Sequence, residues 1–449
     1  MDDQTPLRTM VARVYKQNAQ HIQADLEWLK EIIRRRYAER QSPAPSFKMP
    51  NPPALKGESV YQSLLKEFKF TAAERLALLL SLIPHIAPYF LDEAWQEVSG
   101  SSESALRSMP KTGTVPTIDF FLYLLAGDDL ERRFQHAQIF DDGSFLVENR
   151  ILIHEPDSSV PELLQPIRIS PDYLSMIVYG KEHKPRFTTA FPAKRLTTSL
   201  AWKDLILNDH VSTQVSEIMS WIQHGKTILQ EWDLGKRLSP GYKILFYGPP
   251  GTGKTMTAAL IGKESGVDVY RIDLSMVVSK YIGETEKNLA RIFDEANHKD
   301  WILFFDEADA LFGKRTEMKD AHDRFANQEV AFLLQKIEDH NGVVILSSNM
   351  KSNIDDAFTR RFQGIVYFPM PTAEERLKIW ENGFSKKSVL DKTISLQQIA
   401  DKYEMSGGAI MNVIRYASLK TLERRKNIID FKDLINGIAR EFAKEGRTI

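Results

Sequence analysis

Mostly apolar runs recur along the second half of the chain without a polar residue at every other position. "KILFYG" (243–248), "VDVYRIDL" (267–274), "WILFFDE" (301–307), "GVVILSSN" (342–349) and "GIVYFPMP" (364–371) are such runs, separated by segments of helical pattern. A strand buried on one face alternates, whereas a near-continuous run is buried on both. The pattern predicts an α/β domain over 191–371, with a five-stranded parallel sheet covered on both faces. Beyond Pro371 no strand is expected. Thr372 and Glu375 have the spacing of a capping box, opening a helical lid over 372–449.

The first half reads differently. Leu26, Leu29, Ile32 and Ile33 recur at helical spacing and predict a helix through about residue 40. Five prolines between Ser42 and Pro53 then predict an extended linker, so 1–57 is read as helix plus linker. Over 58–190 a mostly helical domain is expected. Thr71 and Glu74 form a capping box, and Leu76, Leu79, Leu80 and Ile83 mark one buried helix face. "TIDFFLYLLAG" and "LERRFQHAQIF" read as helices and "SFLVENRILIHE" as short strands, an arrangement that a winged-helix-like domain would satisfy.

Composition narrows the chemistry. None of the 449 residues is cysteine, which excludes disulfides, thiolate zinc sites and cysteine catalysis. The formal net charge of −1 gives no electrostatic reason for a nucleic-acid partner, and none is expected. The most apolar stretch, Leu76 to Phe90, is too short to span a bilayer, and the N-terminus has no apolar signal core. A cytoplasmic protein without a membrane partner is expected.

One motif is diagnostic because of its context. "GPPGTGKT", Gly248 to Thr255, follows an apolar strand and precedes a helical segment. Gly248, Gly251 and Gly253 allow the backbone to wrap a phosphate, with Pro249, Pro250 and Thr252 between them and Met256 just after. Lys254 is positioned to reach the β- and γ-phosphates of ATP, and the Thr255 hydroxyl to ligate Mg2+. Asp306, at the end of the strand "WILFF", is the second expected member of the magnesium shell. Glu307 is the expected base that polarises the attacking water. Asn349 ends another apolar strand, where its amide can orient that water or touch the γ-phosphate. Arg360 and Arg361 in "TRRF" are candidate arginine fingers, which act on a neighbouring subunit's γ-phosphate.

Together "GPPGTGKT", "SKYIGETEKN", "FFDEADALFGKR", "LSSN" and "TRRF" resemble the AAA+ ATPases with one ATPase module and an aromatic pore loop. The likeness covers roughly 200–449. It implies a five-stranded core, a helical lid, and a ring, usually a homo-hexamer, with ATP and Mg2+ between subunits. It implies that Lys280, Tyr281, Ile282 and Gly283 form a loop gripping a polypeptide substrate, and that Ile206 and Leu207 pack on adenine. "GKRTEMKDAHDRF" would be a second pore loop. The chain departs from the pattern at Ile410, where some branches carry a sensor arginine, which leaves Arg415 as a candidate; it also lacks an aspartate-glycine-phenylalanine intersubunit signal. With "VPTIDFFLYLL", "ANQEVAFLLQKIEDHNGVVILSSN" and "FAKEGR", the whole chain is similar to bacterial ATPases of phage-tail-like contractile injection systems. The expected activity is ATP-driven remodelling of a polypeptide; the alternatives are an ATP-switched scaffold and a nucleic-acid motor.

Overall fold

The computed structural model describes residues 5–41, 47–99, 115–153, 159–188, 191–274, 284–308, 331–349, 361–385 and 387–448. The chain divides into two compact units, Met1–Lys184 and Pro185–Ile449.

The first unit is built on the helix α1 (Thr5–Arg40). Leu29, Ile32 and Ile33 of α1 are fully buried in one core with residues of α2 (Val60–Glu67), α3 (Ala72–Ile86), α4 (Phe90–Ser99) and α5 (Ile118–Ala126). The proline-rich stretch is extended in its described part, but it is held rather than free. Trp28 Nε1 donates to Pro50 O at 2.9 Å, and Arg75 Nη2 donates to Pro53 O at 3.1 Å. Prolines leave carbonyls unpaired by any ladder, and side chains of α1 and α3 take them up. At the centre Asp25 is fully buried, accepting from Tyr61 Oη at 2.7 Å and from Arg75 Nε at 2.8 Å.

The capping box at Thr71 forms as expected. "LERRFQHA" is α6 (Leu130–Ala137). The strands expected in "SFLVENRILIHE" are in part a helix: Ser144 accepts from Val147 N–H and starts α7 (Phe145–Glu148). Among the described residues of that segment the strand is β1 (Leu152–Ile153), antiparallel to β2 (Arg168–Ile169), and α8 (Pro171–Tyr179) follows. A serine cap outweighs β-propensity over so short a stretch.

The second unit carries a mixed six-stranded sheet, where five parallel strands were expected. Its strands are β3 (Ala193–Leu196), β4 (Tyr242–Tyr247), β5 (Val269–Ile272), β6 (Ile302–Phe305), β7 (Val343–Ser348) and β8 (Gly364–Tyr367), in the order β3-β5-β6-β7-β4-β8. The last five are mutually parallel, and β3 adds antiparallel to β5 at the edge. The pattern hides β3 because its centre, Lys194 and Arg195, is exposed, as edge strands often are.

The apolar runs split by parity into two cores, since successive side chains face opposite ways. Leu245, Tyr270, Leu303, Phe305, Val344 and Leu346 lie on one face. Ile244, Phe246, Val269, Ile302, Phe304 and Ile345 lie on the other, under α9 (Asp209–Gln230) and α10 (Lys254–Ser265). The helix α11 (Glu284–His298) covers the first face with Leu289, Ile292 and Phe293, joined there by Leu333 and Ile337.

After Pro371 the Thr372 capping box opens α12 (Ala373–Gly383), followed by α13 (Leu396–Lys402), α14 (Gly407–Glu423) and α15 (Phe431–Lys444). They share a core of their own around Trp380, Ile410, Val413 and Leu434. No strand was expected here, yet β9 (Val389–Leu390) and β10 (Ile428–Ile429) pair in parallel. Two residues are too few to show a period. No single helix among the described residues is long and apolar enough to cross a membrane.

Candidate active site

The phosphate-type loop leaves β4 at its carboxyl end, and register decides what surrounds it. β4 lies between β7 and β8, with Tyr247 opposite Ser348. Gly248 N–H therefore donates to Ser348 O at 3.3 Å, and Asn349 follows directly beside the loop. β6 pairs with the other side of β7, placing Asp306 one step beyond the Phe305–Leu346 pair. Ala308 N–H ties this turn to Ser347 O at 2.8 Å. The strand separating the two motifs in the sheet is thus β7, although β5 separates them in sequence.

Within that frame Lys254 Nζ is buried and donates to Gly248 O at 2.6 Å, to Pro249 O at 3.0 Å and to Asn349 Oδ1 at 3.2 Å. Thr255 Oγ1 donates to Asp306 Oδ2 at 3.4 Å. Glu307 is exposed, has φ 53°, and donates its N–H to Asp306 Oδ1 at 3.2 Å. A non-glycine residue in that backbone region is uncommon and marks a turn imposed by its surroundings.

Two glycines are required by contact as well as conformation. Gly248, at φ 145°, would place a Cβ 2.1 Å from Phe368 O. Gly251, at φ 77°, would place one 2.6 Å from Ser406 Oγ, because the start of α14 rests on the loop: Gly408 N–H donates to Gly251 O at 3.0 Å.

The result is a cleft of about 890 Å³. Its walls include Pro250 to Met256, Asp306, Glu307 and Asn349, together with Ile206 and Leu207 on one side and Ser406 to Ala409, Asn412 and Arg415 of α14 on another. A volume of this order suits a nucleotide. The residues fit a magnesium–nucleotide pair. Hydroxyl and carboxylate oxygens of Thr255 and Asp306 are hard ligands, and the loop is a glycine cradle that side chains would fill. Among the described residues no three His, Cys, Asp or Glu side chains are placed to hold a metal by themselves. That suits an ion such as Mg2+, which commonly takes one or two carboxylates plus substrate phosphates.

Residues 244–370 match the family described as "ATPase family associated with various cellular activities (AAA)". The chain carries an AAA ATPase domain. Several known proteins are similar to part of the chain. A katanin-like p60 ATPase from Mus musculus is 33% identical over 200 residues, 42% of this chain and 41% of that one. Cell division protein C of Sulfolobus acidocaldarius is 34% identical over 210 residues, 43% of this chain and 56% of its own. Protein SAV of the same organism is 27% identical over 334 residues, 72% of this chain and 41% of its own. The matches therefore span roughly two-fifths to just over half of these relatives.

Not every expected site residue lies in the cleft of the AAA domain. Arg361 stands at the amino end of β8, opposite the cleft, where it is ion-paired with Glu338. A small cavity of about 160 Å³ there is lined by Lys243, Leu334, Ile337, Glu338, Arg361 and Phe362, among others. Arg360, the Lys280–Gly283 loop and the second pore-loop segment lie outside the described residues. Ile410 is fully buried in the lid core, whereas Arg415, one and a half turns on, lines the cleft. Three contributors are not among the expected residues. Leu205 would lie 2.9 Å from a Cβ on Gly253, and Ser406 caps α14 against the loop. The third, Arg271, has its Nη2 3.4 Å from Asp306 Oδ2. "SGGA" after a polar stretch could have signalled the cap; the strand pattern says only that Arg271 is polar.

Proposed function

We propose that this protein is a magnesium-dependent ATPase that works as a homo-hexameric ring and remodels polypeptide substrates. The observation that carries this reading is the meeting of Lys254, Thr255, Asp306 and Asn349 in one cleft at the carboxyl ends of parallel strands. Loop amides and Lys254 bind the phosphates, Pro250 and Met256 line the cleft beside them, and Pro249 supports the loop by accepting from Lys254 Nζ and Thr252 Oγ1. Thr255 and Asp306 hold the metal, which when bound neutralises phosphate charge and orients the γ-phosphate. Glu307 takes the proton of the attacking water, and Asn349 orients that water. Ile206 and Leu207 receive the base.

Arg361, turned away from its own cleft, suits service to a neighbour's nucleotide together with Arg360. The loop Lys280–Gly283 grips substrate through Tyr281, whose ring offers apolar contact indifferent to sequence. The relatives named for a katanin ATPase and for cell division agree with an ATP-driven machine. Action in the cytoplasm on a contractile injection particle is the particular setting proposed, supported by the likeness of the quoted segments. Glu307→Gln should keep ATP binding while turnover falls to background; continued turnover would refute the assignment of the base. Tyr281→Ala should hydrolyse ATP yet fail to remodel captured substrates, and unimpaired remodelling would remove the gripping role.

A further inference from the structure

Asp306 has a neighbour on the strand beyond it. β5 flanks β6 on the side away from β7, and Arg271 is paired in register with Phe304, two residues before Asp306. Tyr270 and Ile272 enter one core and Val269 the other, so Arg271 shares the Val269 face, which α10 covers. From there its guanidinium reaches the carboxylate: Nη2 lies 3.4 Å from Asp306 Oδ2. The Thr255 hydroxyl approaches the same oxygen, also at 3.4 Å. A permanent cation therefore shares the oxygen that a divalent ion would need.

We propose that Arg271 is a built-in competitor of the divalent cation, pairing with Asp306 when the metal is absent and so setting how much Mg2+ the nucleotide site requires. The inference rests on the reading of this cleft as a magnesium–nucleotide site. Two physical effects act in the same direction. The ion must share or displace an existing ion pair, and a guanidinium one carboxylate away repels a dication. Arg271 is about half exposed, at 49%, so water screens both effects. Arg271 touches neither substrate nor reacting atoms in this arrangement; it is a positioning residue acting through Asp306. Its position in mid-strand, between paired β3 and β6, fixes its backbone within reach of Asp306 without a flexible loop.

Equilibrium binding of a fluorescent ATP analogue to the full chain, across a Mg2+ titration, tests this without relying on turnover. Arg271→Gln removes the charge and keeps much of the length; Arg271→Lys keeps the charge. The Gln variant should reach half-saturation at a Mg2+ concentration about three- to ten-fold lower than the unaltered protein, the range that a screened charge at this separation can supply. The Lys variant should stay within about two-fold, since the competing charge is kept. Binding of the analogue in EDTA gives each variant's own metal-free baseline, against which its Mg2+ midpoint is read. An unchanged midpoint in a folded Gln variant would overturn the inference. A higher midpoint would also overturn it, showing that the pair orients Asp306 for the metal. If the unaltered protein bound the analogue without any response to Mg2+, the reading of the cleft would fail first and the inference with it.

Discussion

Lys254 and Asn349 are joined by a 3.2 Å hydrogen bond from the lysine Nζ to the asparagine Oδ1, although 95 positions separate them in sequence. The bond ties the mobile charge of the phosphate loop to the end of β7. It also holds the Asn349 amide in the cleft, beside Gly248.

Asn349→Ala should therefore damage catalysis more than binding. Loss of one preorganised dipole at the reacting phosphate is expected to lower kcat about ten- to hundred-fold. KM for ATP should change much less, because the loop amides and Lys254 remain. Steady-state phosphate release across ATP concentrations separates the two constants.

Gly251→Ala tests the contact between loop and lid. The added Cβ would meet Ser406 Oγ at 2.6 Å at a φ of 77°. A left-handed backbone alone costs about 1–2 kcal/mol for a non-glycine residue. Weaker ATP binding by calorimetry and a melting temperature lower by several degrees are expected. Ser406→Ala in the same chain should relieve the clash but also remove the cap of α14, at a cost of about 0.5–2 kcal/mol, so recovery should be partial at most.

His340 makes the second unit sensitive to acid. It is buried against the Phe293 ring at 5.4 Å, and its ring nitrogens have no partner among the described residues. Burial, with the Lys243 ammonium adding to it, pushes the imidazole down from 6.5 to about 4. Asp339 is the acidic group that acts on Lys243, whose own affinity for a proton is lowered by burial. The unfolded chain binds a proton near pH 6.5 and the folded one does not. The stabilisation is thus complete above that value and lost as pH falls toward 4, at about 1.4 kcal/mol per pH unit for one proton. His340→Phe, which keeps an apolar ring in place, should flatten that segment of the stability–pH curve measured by urea denaturation.

Asp25 anchors the first unit. It is fully buried and carries the charge that balances Arg75. Asp25→Ala leaves that guanidinium without its carboxylate and should destabilise the unit by about 3–5 kcal/mol. Tyr61→Phe removes one hydrogen bond to a charged acceptor, for about 1.5–3 kcal/mol. Chemical denaturation of the two variants should rank them in that order.

Local chemistry was legible in the chain wherever a few neighbouring residues decide the outcome. The capping boxes at Thr71 and Thr372, the strand–loop–helix around Gly248 to Thr255, and the apolar runs of β4, β6 and β7 are of this kind. Short or polar elements escaped: α7 began at a serine cap inside an expected strand region, and β3 carries exposed charges at its centre.

Which groups can do the chemistry follows from local spacing, because a lysine, a threonine and three glycines so arranged make an anion cradle in any strand–loop–helix. Local spacing could not decide their company. Pairing β7 between β4 and β6 is a matter of long-range ladder hydrogen bonds, and only that order brings Asn349 to Lys254. The rest of α14 on Gly251 and the reach of Arg271 to Asp306 depend likewise on packing across many intervening residues. Spacing along a chain fixes local geometry, but a contact between distant residues exists only once sheet order and register have set the distance.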